Sequence, residues 1–354
     1  MENASPFSQR LAMLPETIWV KIAQIDELKG RWSASAQLHP QVLGRLKRSV
    51  LVTSTGASTR IEGAQLSDED IEKMLRGLSI QPFSDRDKQE VQGYYELLTN
   101  VFDAWSHLRF SESLIKHFHD EILKYVEKDE RHRGEYKRQE NKVHMVDEAG
   151  QSVGILFDTT PAYLTANEMQ ELMEWTRQVI REQTHHPLLI IASFLVQFLQ
   201  IHPFQDGNGR LSRILTNLLM LQAGYPYIPY VSHEKLIEDN KPDYYLALRR
   251  SQSTFQTEQE TIVPWLEFFM RVGYSQAQLA CELISSSSLE TLLSPIQLKV
   301  WEYLQTVEEV APRTLSEVLG IPRPTINQVL NKLLNLKKIE RIGEGRATRY
   351  QLRT

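Results

Sequence analysis

The sequence predicts a mainly α-helical protein that carries one β-hairpin and ends in a small α+β unit. Three observations predict it. Apolar residues recur at helical spacing along most of the 354 residues. Short runs rich in Val, Ile and Phe flank turn residues in only two places, 142–157 and 339–352. Residues 295–354 carry ten Lys/Arg against six Asp/Glu, a balance of +4 that leaves −9 for the rest. That shift marks a separate C-terminal unit suited to an acidic partner.

In chain order, Ile18, Ile22, Ile25 and Leu28 predict an amphipathic helix, and Val42, Leu43, Leu46, Val50 and Leu51 a second. Ser67-Asp68-Glu69-Asp70 opens another helix with a capping-box-like start, which Gly77 can end. Helical patterns return over Lys88–Leu98 and Ser113–Val126. The runs Lys142–Val146 and Ser152–Phe157 around Asp147-Glu148-Ala149-Gly150 then predict a hairpin. Tyr163–Ile180 is amphipathic. Leu188–Ile201 is apolar on nearly every side and is expected to be the central buried helix. His185 and His186 before it read as loop residues. Helices follow from Leu211 to about Met220, from Asp243, and over Pro264–Phe269.

The densest chemistry is the run His202-Pro203-Phe204-Gln205-Asp206-Gly207-Asn208-Gly209-Arg210-Leu211-Ser212-Arg213. Its glycines permit positive φ and close approach of backbone. The amides they free open onto the N-terminus of the next helix, an anion site. Arg210 and Arg213 lie three apart, so both can face one polyphosphate. Asp206 is a hard oxygen ligand of the kind that holds Mg2+ beside phosphates. His202 can act as a base near neutral pH. Together these residues suit nucleotide binding and activation of a hydroxyl that attacks phosphorus.

The run resembles the signature of the Fic (adenylyltransferase) family, His-x-Phe-x-Asp/Glu-Gly-Asn-Gly-Arg-x-x-Arg, at every specified position. The resemblance implies a Fic helical fold that transfers AMP from ATP to a Ser, Thr or Tyr hydroxyl of a protein, itself or another. His202 would deprotonate that hydroxyl and Asp206 would coordinate Mg2+. Gly207, Asn208 and Gly209 would hold the α- and β-phosphates, and Arg210 and Arg213 would clamp the polyphosphate. Ser58-x-x-x-Glu62-Gly63 is similar to the family's inhibitory motif, which implies that Glu62 pairs with Arg213 and denies it to the γ-phosphate. The hairpin is similar in place to the family's flap, so Val143, His144, Met145 and Val146 would dock the target segment. Asp243-Tyr244-Tyr245 resembles the segment lining the adenine side, with Tyr244 and Tyr245 facing the purine. Relatives that phosphorylate lack the second glycine and following arginine, so Gly209 and Arg210 argue against that branch. Transfer of another phosphate-containing group, removal of AMP, and a nucleotide-sensing DNA-binding regulator stand as alternatives.

Beyond Pro295 the pattern is helix (Ile296–Leu304), short helix (Thr314–Leu319, stopped by Gly320), helix (Thr325–Leu336) and a basic hairpin around Gly343-Glu344-Gly345 with Arg341, Arg346 and Arg349. It resembles a winged helix-turn-helix domain. The third helix would offer Thr325, Asn327, Gln328, Asn331 and Lys332 to DNA or to a protein. The expected division is an N-terminal helical region over 1–100 with an inhibitory helix around 54–63, a catalytic domain over 101–284 with the flap at 142–157, a linker over 285–294, and the winged helix over 295–354. A homodimer is an open expectation. The single cysteine, Cys281, excludes an intrachain disulfide and a Cys-based zinc cluster. With no signal-like start or spanning apolar run, a reducing, cytoplasmic setting is expected.

Overall fold

A computed structural model describes residues 5–35, 40–77, 85–146, 152–292, 294–336, 338–343 and 348–353. The elements run α1 (Pro6–Gln9), α2 (Glu16–Ser35), α3 (Pro40–Ile61), α4 (Asp68–Leu75), α5 (Asp85–Ala104), α6 (Glu112–Leu123), β1 (Lys142–Val146), β2 (Ser152–Asp158), α7 (Thr165–Glu182), α8 (Pro187–Ile201) and α9 (Asn208–Gln222). They continue through α10 (His233–Glu238), α11 (Lys241–Gln252), α12 (Val263–Leu292), α13 (Pro295–Leu304), α14 (Pro312–Leu319), α15 (Arg323–Asn335), β3 (Ile339–Ile342) and β4 (Arg349–Leu352). The chain is thus mainly α, as expected.

Contacts divide it into two compact units, Met1–Glu282 and Leu283–Thr354. In the first, α8 is buried along almost its whole length and packs against α7 and α9. Its start is set by His186, whose Nδ1 accepts from the Leu188 N–H (3.3 Å) and whose Nε2 meets Asp26 (2.9 Å). His186 is therefore a helix cap, a role not expected of it as a loop residue. The predicted helix at Val42–Val52 and the segment around 54–63 form one helix, α3, which packs on α5 and α10. Ser67 caps α4 through the reciprocal capping box with Asp70. The hairpin β1–β2 is antiparallel with register irregularities after Val143 and Met145. Its turn, 147–151, and the side chains of Val143, His144, Met145 and Val146 lie outside the described residues.

Two expected boundaries need correction. Position 100 falls inside α5, so the N-terminal helices and the catalytic region share one unit. The stretch 285–294 was expected to be a linker, yet α12 runs through it to Leu292. Four serines cost a helix only tenths of a kcal/mol each (about 0.5) relative to alanine. No Gly or Pro interrupts the chain between Gly273 and Pro295.

The second unit has its own core. Val300, Trp301 and Leu304 of α13, Leu315 of α14 and Ile326, Val329, Leu330 and Leu333 of α15 close on Ile339 and Tyr350. Gly320, at φ 65°, ends α14 in the left-handed conformation that glycine adopts without strain. Strands β3 and β4 pair antiparallel, and the connection Glu344–Arg346 lies outside the described residues.

Candidate active site

The site forms where α8 gives way to α9. His202 ends α8 in a left-handed conformation (φ 51°, ψ 59°), its N–H donating to the Phe198 carbonyl at 2.9 Å. The imidazole Nδ1 lies 3.3 Å from the Leu199 carbonyl. A proton on Nδ1 satisfies that carbonyl and leaves the lone pair on Nε2, the arrangement a general base needs. Burial pushes the His202 pKa down to about 4, and nearby Lys137 works in the same direction.

Phe204 is fully buried and stacks on His119, with ring centroids 3.8 Å apart and planes 10° from parallel. The His119 Nδ1 accepts from the Gly134 N–H (3.0 Å), so Nε2 carries the proton and donates to the Asp206 carbonyl (3.0 Å). Gly207 follows at φ 78° and turns the chain into α9. Asn208 is expected to hold phosphate, but its side chain is committed elsewhere. Oδ1 accepts from the Phe204 N–H (2.9 Å) and Nδ2 donates to the Phe204 carbonyl (2.7 Å). What Asn208 offers an anion is its backbone N–H at the helix start.

Asp206 Oδ1 accepts from the Gly207 N–H (2.6 Å) and from Arg210 (3.3 Å), while Oδ2 takes Arg86 at 2.5 Å. Burial alone raises its pKa, but Arg210, the Gly207 N–H and Arg86 outweigh that and hold the carboxyl below its ordinary range. Its oxygen donors and its place at the helix start fit a magnesium ion shared with substrate phosphates. Arg210 is buried, and its guanidinium also pairs with Glu90 at 2.9 Å.

Arg213 is buried under the end of α3. Its Nε donates to Ser58 Oγ (2.8 Å), and its Nη2 donates to the Ser58 carbonyl (3.0 Å) and to Glu62 Oε1 (2.7 Å). Burial opposes the guanidinium charge, and Glu62 beside it more than restores it, so the Arg213 pKa is raised. The Glu62 carboxylate lies directly over Gly209, where an added Cβ would stand 2.1 Å from Glu62 Oε1 and 3.3 Å from Arg213 Nη1. That Nη1 is buried without a hydrogen-bond partner and faces the same space. Gly63, at φ 104°, lets the chain turn away just after Glu62.

Tyr244 is not placed to stack on a ligand. It is 3% exposed and packs among Tyr245, Trp265 and Phe268 as part of the core. Tyr245 remains at the rim, its hydroxyl 3.5 Å from the Ile61 carbonyl beside Glu62. Sequence reasoning missed Arg86, Glu90, His119, Lys137 and Asn141, all of which touch the signature run through space. Lys137 Nζ donates to Asn141 Oδ1 (2.8 Å), Thr159 Oγ1 (3.0 Å) and the Ile201 carbonyl (3.0 Å), while Asn141 Nδ2 donates to the Phe204 carbonyl (2.8 Å).

Comparison with known proteins places this geometry. The Fic/DOC family model matches residues 109–220. An Aquifex aeolicus (strain VF5) protein named "Probable protein adenylyltransferase" is 23% identical over 194 residues, 54% of this chain and 56% of that protein. The protein adenylyltransferase Fic of Drosophila melanogaster is 43% identical over 58 residues, 16% of this chain and 12% of the relative. The chain thus spans about half the length of the first of these relatives and a small part of the second. A Fic family protein from Desulfovibrio desulfuricans G20 shares the fold, with a TM-score of 0.63 at 24% identity over 96% of this chain and 97% of that one. Fic-1 of C. elegans (residues 134–508) shares it at a TM-score of 0.61 and 20% identity, over 77% of this chain and 75% of that one. Residues 109–220, with the whole of the His202–Arg213 run inside them, are therefore a Fic/DOC-family domain.

Proposed function

We propose that the protein transfers AMP from ATP to a Ser, Thr or Tyr hydroxyl of a protein, itself or another, and that Glu62 holds it off. One observation carries the reading. The Glu62 carboxylate occupies the space over Gly209, which the unpartnered Arg213 Nη1 also faces. The backbone there suits a polyphosphate: the α9 N-terminus turns its free N–H groups toward it. With ATP seated, the target hydroxyl oxygen attacks the α-phosphorus, the bond from that phosphorus to the β-phosphate oxygen breaks, and pyrophosphate leaves. His202 Nε2 takes the hydroxyl proton. Asp206 would hold Mg2+, which when bound offsets charge on the phosphates. The Arg213 guanidinium, once free of Glu62, meets the polyphosphate, and Arg210 lies along the same helix.

The hairpin β1–β2 supports target docking by strand addition, in which backbone hydrogen bonds align the hydroxyl with little sequence demand. In the C-terminal unit a cleft of about 870 Å³ is lined by Arg313, Arg323, Arg341 and Arg349, together with Asn327 and Asn331. An acidic partner, DNA or a protein, fits that lining, and a winged-helix adapter fits the order of its elements.

The test is intact mass after incubation with Mg2+ and ATP, together with α-labelled ATP and cell lysate as substrate. Wild type, Glu62→Gly and Glu62→Gly/His202→Ala are compared. The mass of AMP, gained by the Glu62→Gly protein or by a lysate protein in its presence, is the expected result. The His202→Ala double variant should give none. A gain of phosphate alone would redirect the chemistry, and no label in any sample overturns the reading.

A further inference from the structure

We propose that Arg86 is a built-in counter-cation for the metal site: it holds Asp206 until a divalent ion takes that carboxylate, and then passes to Asp129. The inference rests on reading Asp206 as the magnesium ligand, and it adds a residue that sets how readily that ion binds.

Arg86 stands in the first turn of α5, which sequence separation keeps 120 positions away from Asp206. Two arginines and two carboxylates alternate in a closed ring. Arg86 Nε donates to Glu90 Oε1 (2.8 Å) and Arg86 Nη2 to Asp206 Oδ2 (2.5 Å). Arg210 Nη2 reaches Asp206 Oδ1 (3.3 Å), and its Nη1 reaches Glu90 Oε2 (2.9 Å). With the Gly207 N–H also on Oδ1, each oxygen of Asp206 already has a donor. A hard cation that needs those lone pairs must displace one of them.

The members of the ring are not equally held. Arg210 is 2% exposed, and Gly207 donates from the backbone, so neither can leave without disrupting α9. Arg86 is 45% exposed and Asp206 42%, so their contact is screened by water and is the weakest edge against a doubly charged ion brought with phosphates. A destination is also present. Asp129 Oδ2 lies 3.6 Å from the same Arg86 Nη2, and this oxygen is buried and accepts no hydrogen bond. The other oxygen of Asp129 lies 3.9 Å from the His132 Nε2. A buried carboxylate oxygen left unpaired is costly. Arg86 can satisfy it by turning its Nη2 from Asp206 toward Asp129 while Nε stays on Glu90. Arg86 thus already lies within ion-pair reach of both carboxylates, and the Asp129 oxygen is the one that still lacks a hydrogen bond.

Mn2+ binding to the full-length protein, followed by electron paramagnetic resonance of the free ion, tests this without any need for turnover. Wild type, Arg86→Gln, Arg86→Lys, Asp129→Asn, Arg86→Gln/Asp129→Asn and Asp206→Asn are titrated with Mn2+ in the presence of a non-hydrolysable ATP analogue. Arg86→Gln should tighten Mn2+ roughly threefold to tenfold, since a competing charge is removed. Arg86→Lys, which keeps the charge, should stay close to wild type. Asp129→Asn should weaken binding a few-fold, roughly the inverse effect, because displaced Arg86 loses its destination. The double variant should match Arg86→Gln, since Asp129 acts only through Arg86. Equal Mn2+ affinity in wild type and Arg86→Gln, or an Asp129→Asn effect that persists in the double variant, overturns the proposal. Unchanged binding in Asp206→Asn removes the metal reading on which it rests, an outcome visible separately from the other two. Melting curves of each variant identify any loss of affinity that comes from misfolding.

Discussion

Two histidines stand at the loop between α8 and α9, and burial keeps both neutral. His202 and His119 have pKa values pushed down to about 4 from an ordinary 6.5. For His119 burial again leads, and the Arg210 charge adds to it, against the pull of the Asp206 carbonyl. In the unfolded chain each takes a proton near pH 6.5, whereas in the folded protein each resists until about pH 4. The unfolded state therefore binds more protons between those values, and stability that is full above about pH 6.5 is lost as pH falls toward 4. Each contributes up to about 3 kcal/mol over that span, at 1.36 kcal/mol per pKa unit. The melting temperature should fall steadily from pH 7 to pH 5, and His119→Gln should make that fall shallower. An unchanged slope in His119→Gln would mean that His119 takes its proton at the same pH in the folded and the unfolded chain. For catalysis the same shift gives a second expectation. The acid limb of kcat/KM for Glu62→Gly should lie well below pH 6.5, so that the rate at pH 5.5 stays within about twofold of that at pH 7.5. The signature itself was legible because its chemistry is contiguous in the chain. His119 was not, since it reaches Asp206 across 87 positions and nothing local to it differs from an ordinary buried histidine on a helix.

At the scale of elements, the hairpin was legible from its two short runs rich in Val, Ile and Phe around turn residues, but its anchorage was not. Its two strands leave from Asn141 and Thr159, and both are tied to the end of α8 through Lys137. The Lys137 N–H also donates to the Pro203 carbonyl (2.8 Å), and Thr159 Oγ1 donates to the Asn141 carbonyl (2.8 Å). A lysine 4% exposed, its pKa lowered to about 8 by burial, is an unusual brace, tolerable because three acceptors surround its ammonium. Lys137→Met removes those donations and leaves acceptors unpaired, at about 1–3 kcal/mol of stability. In the Glu62→Gly background it should raise KM for a protein target, because the hairpin proposed to dock that target loses its fixed base, and leave ATP affinity nearly unchanged. Equal loss of target and ATP affinity would show that the brace serves the whole site instead. The pairing of Glu62 with Arg213 belongs to the same scale. It was legible only through a motif resemblance, since no local pattern reveals that the end of α3 lies over α9.

The chain forms two compact units, and composition revealed the second better than it revealed the join. The basic shift after residue 295 pointed to a separate unit, and Ile326, Val329, Leu330 and Leu333 of the helix predicted there line its core. The serine run looked like a linker because serine is common in loops, but nothing in it forbids a helix, and α12 continues. The core of residues 283–354 contains none of the residues around His202. Leu330 is fully buried there. Leu330→Ala should cost about 2–5 kcal/mol through lost burial and the cavity left behind. Calorimetry should show the unfolding of this unit moving to lower temperature while a second transition, belonging to residues 1–282, stays in place. AMP transfer by the Glu62→Gly protein below the lower transition should be unchanged by the added Leu330→Ala. If transfer instead falls with the melting of the C-terminal unit, that unit supports the catalytic one directly, and its arginine-lined cleft belongs to target selection and not to an independent partner.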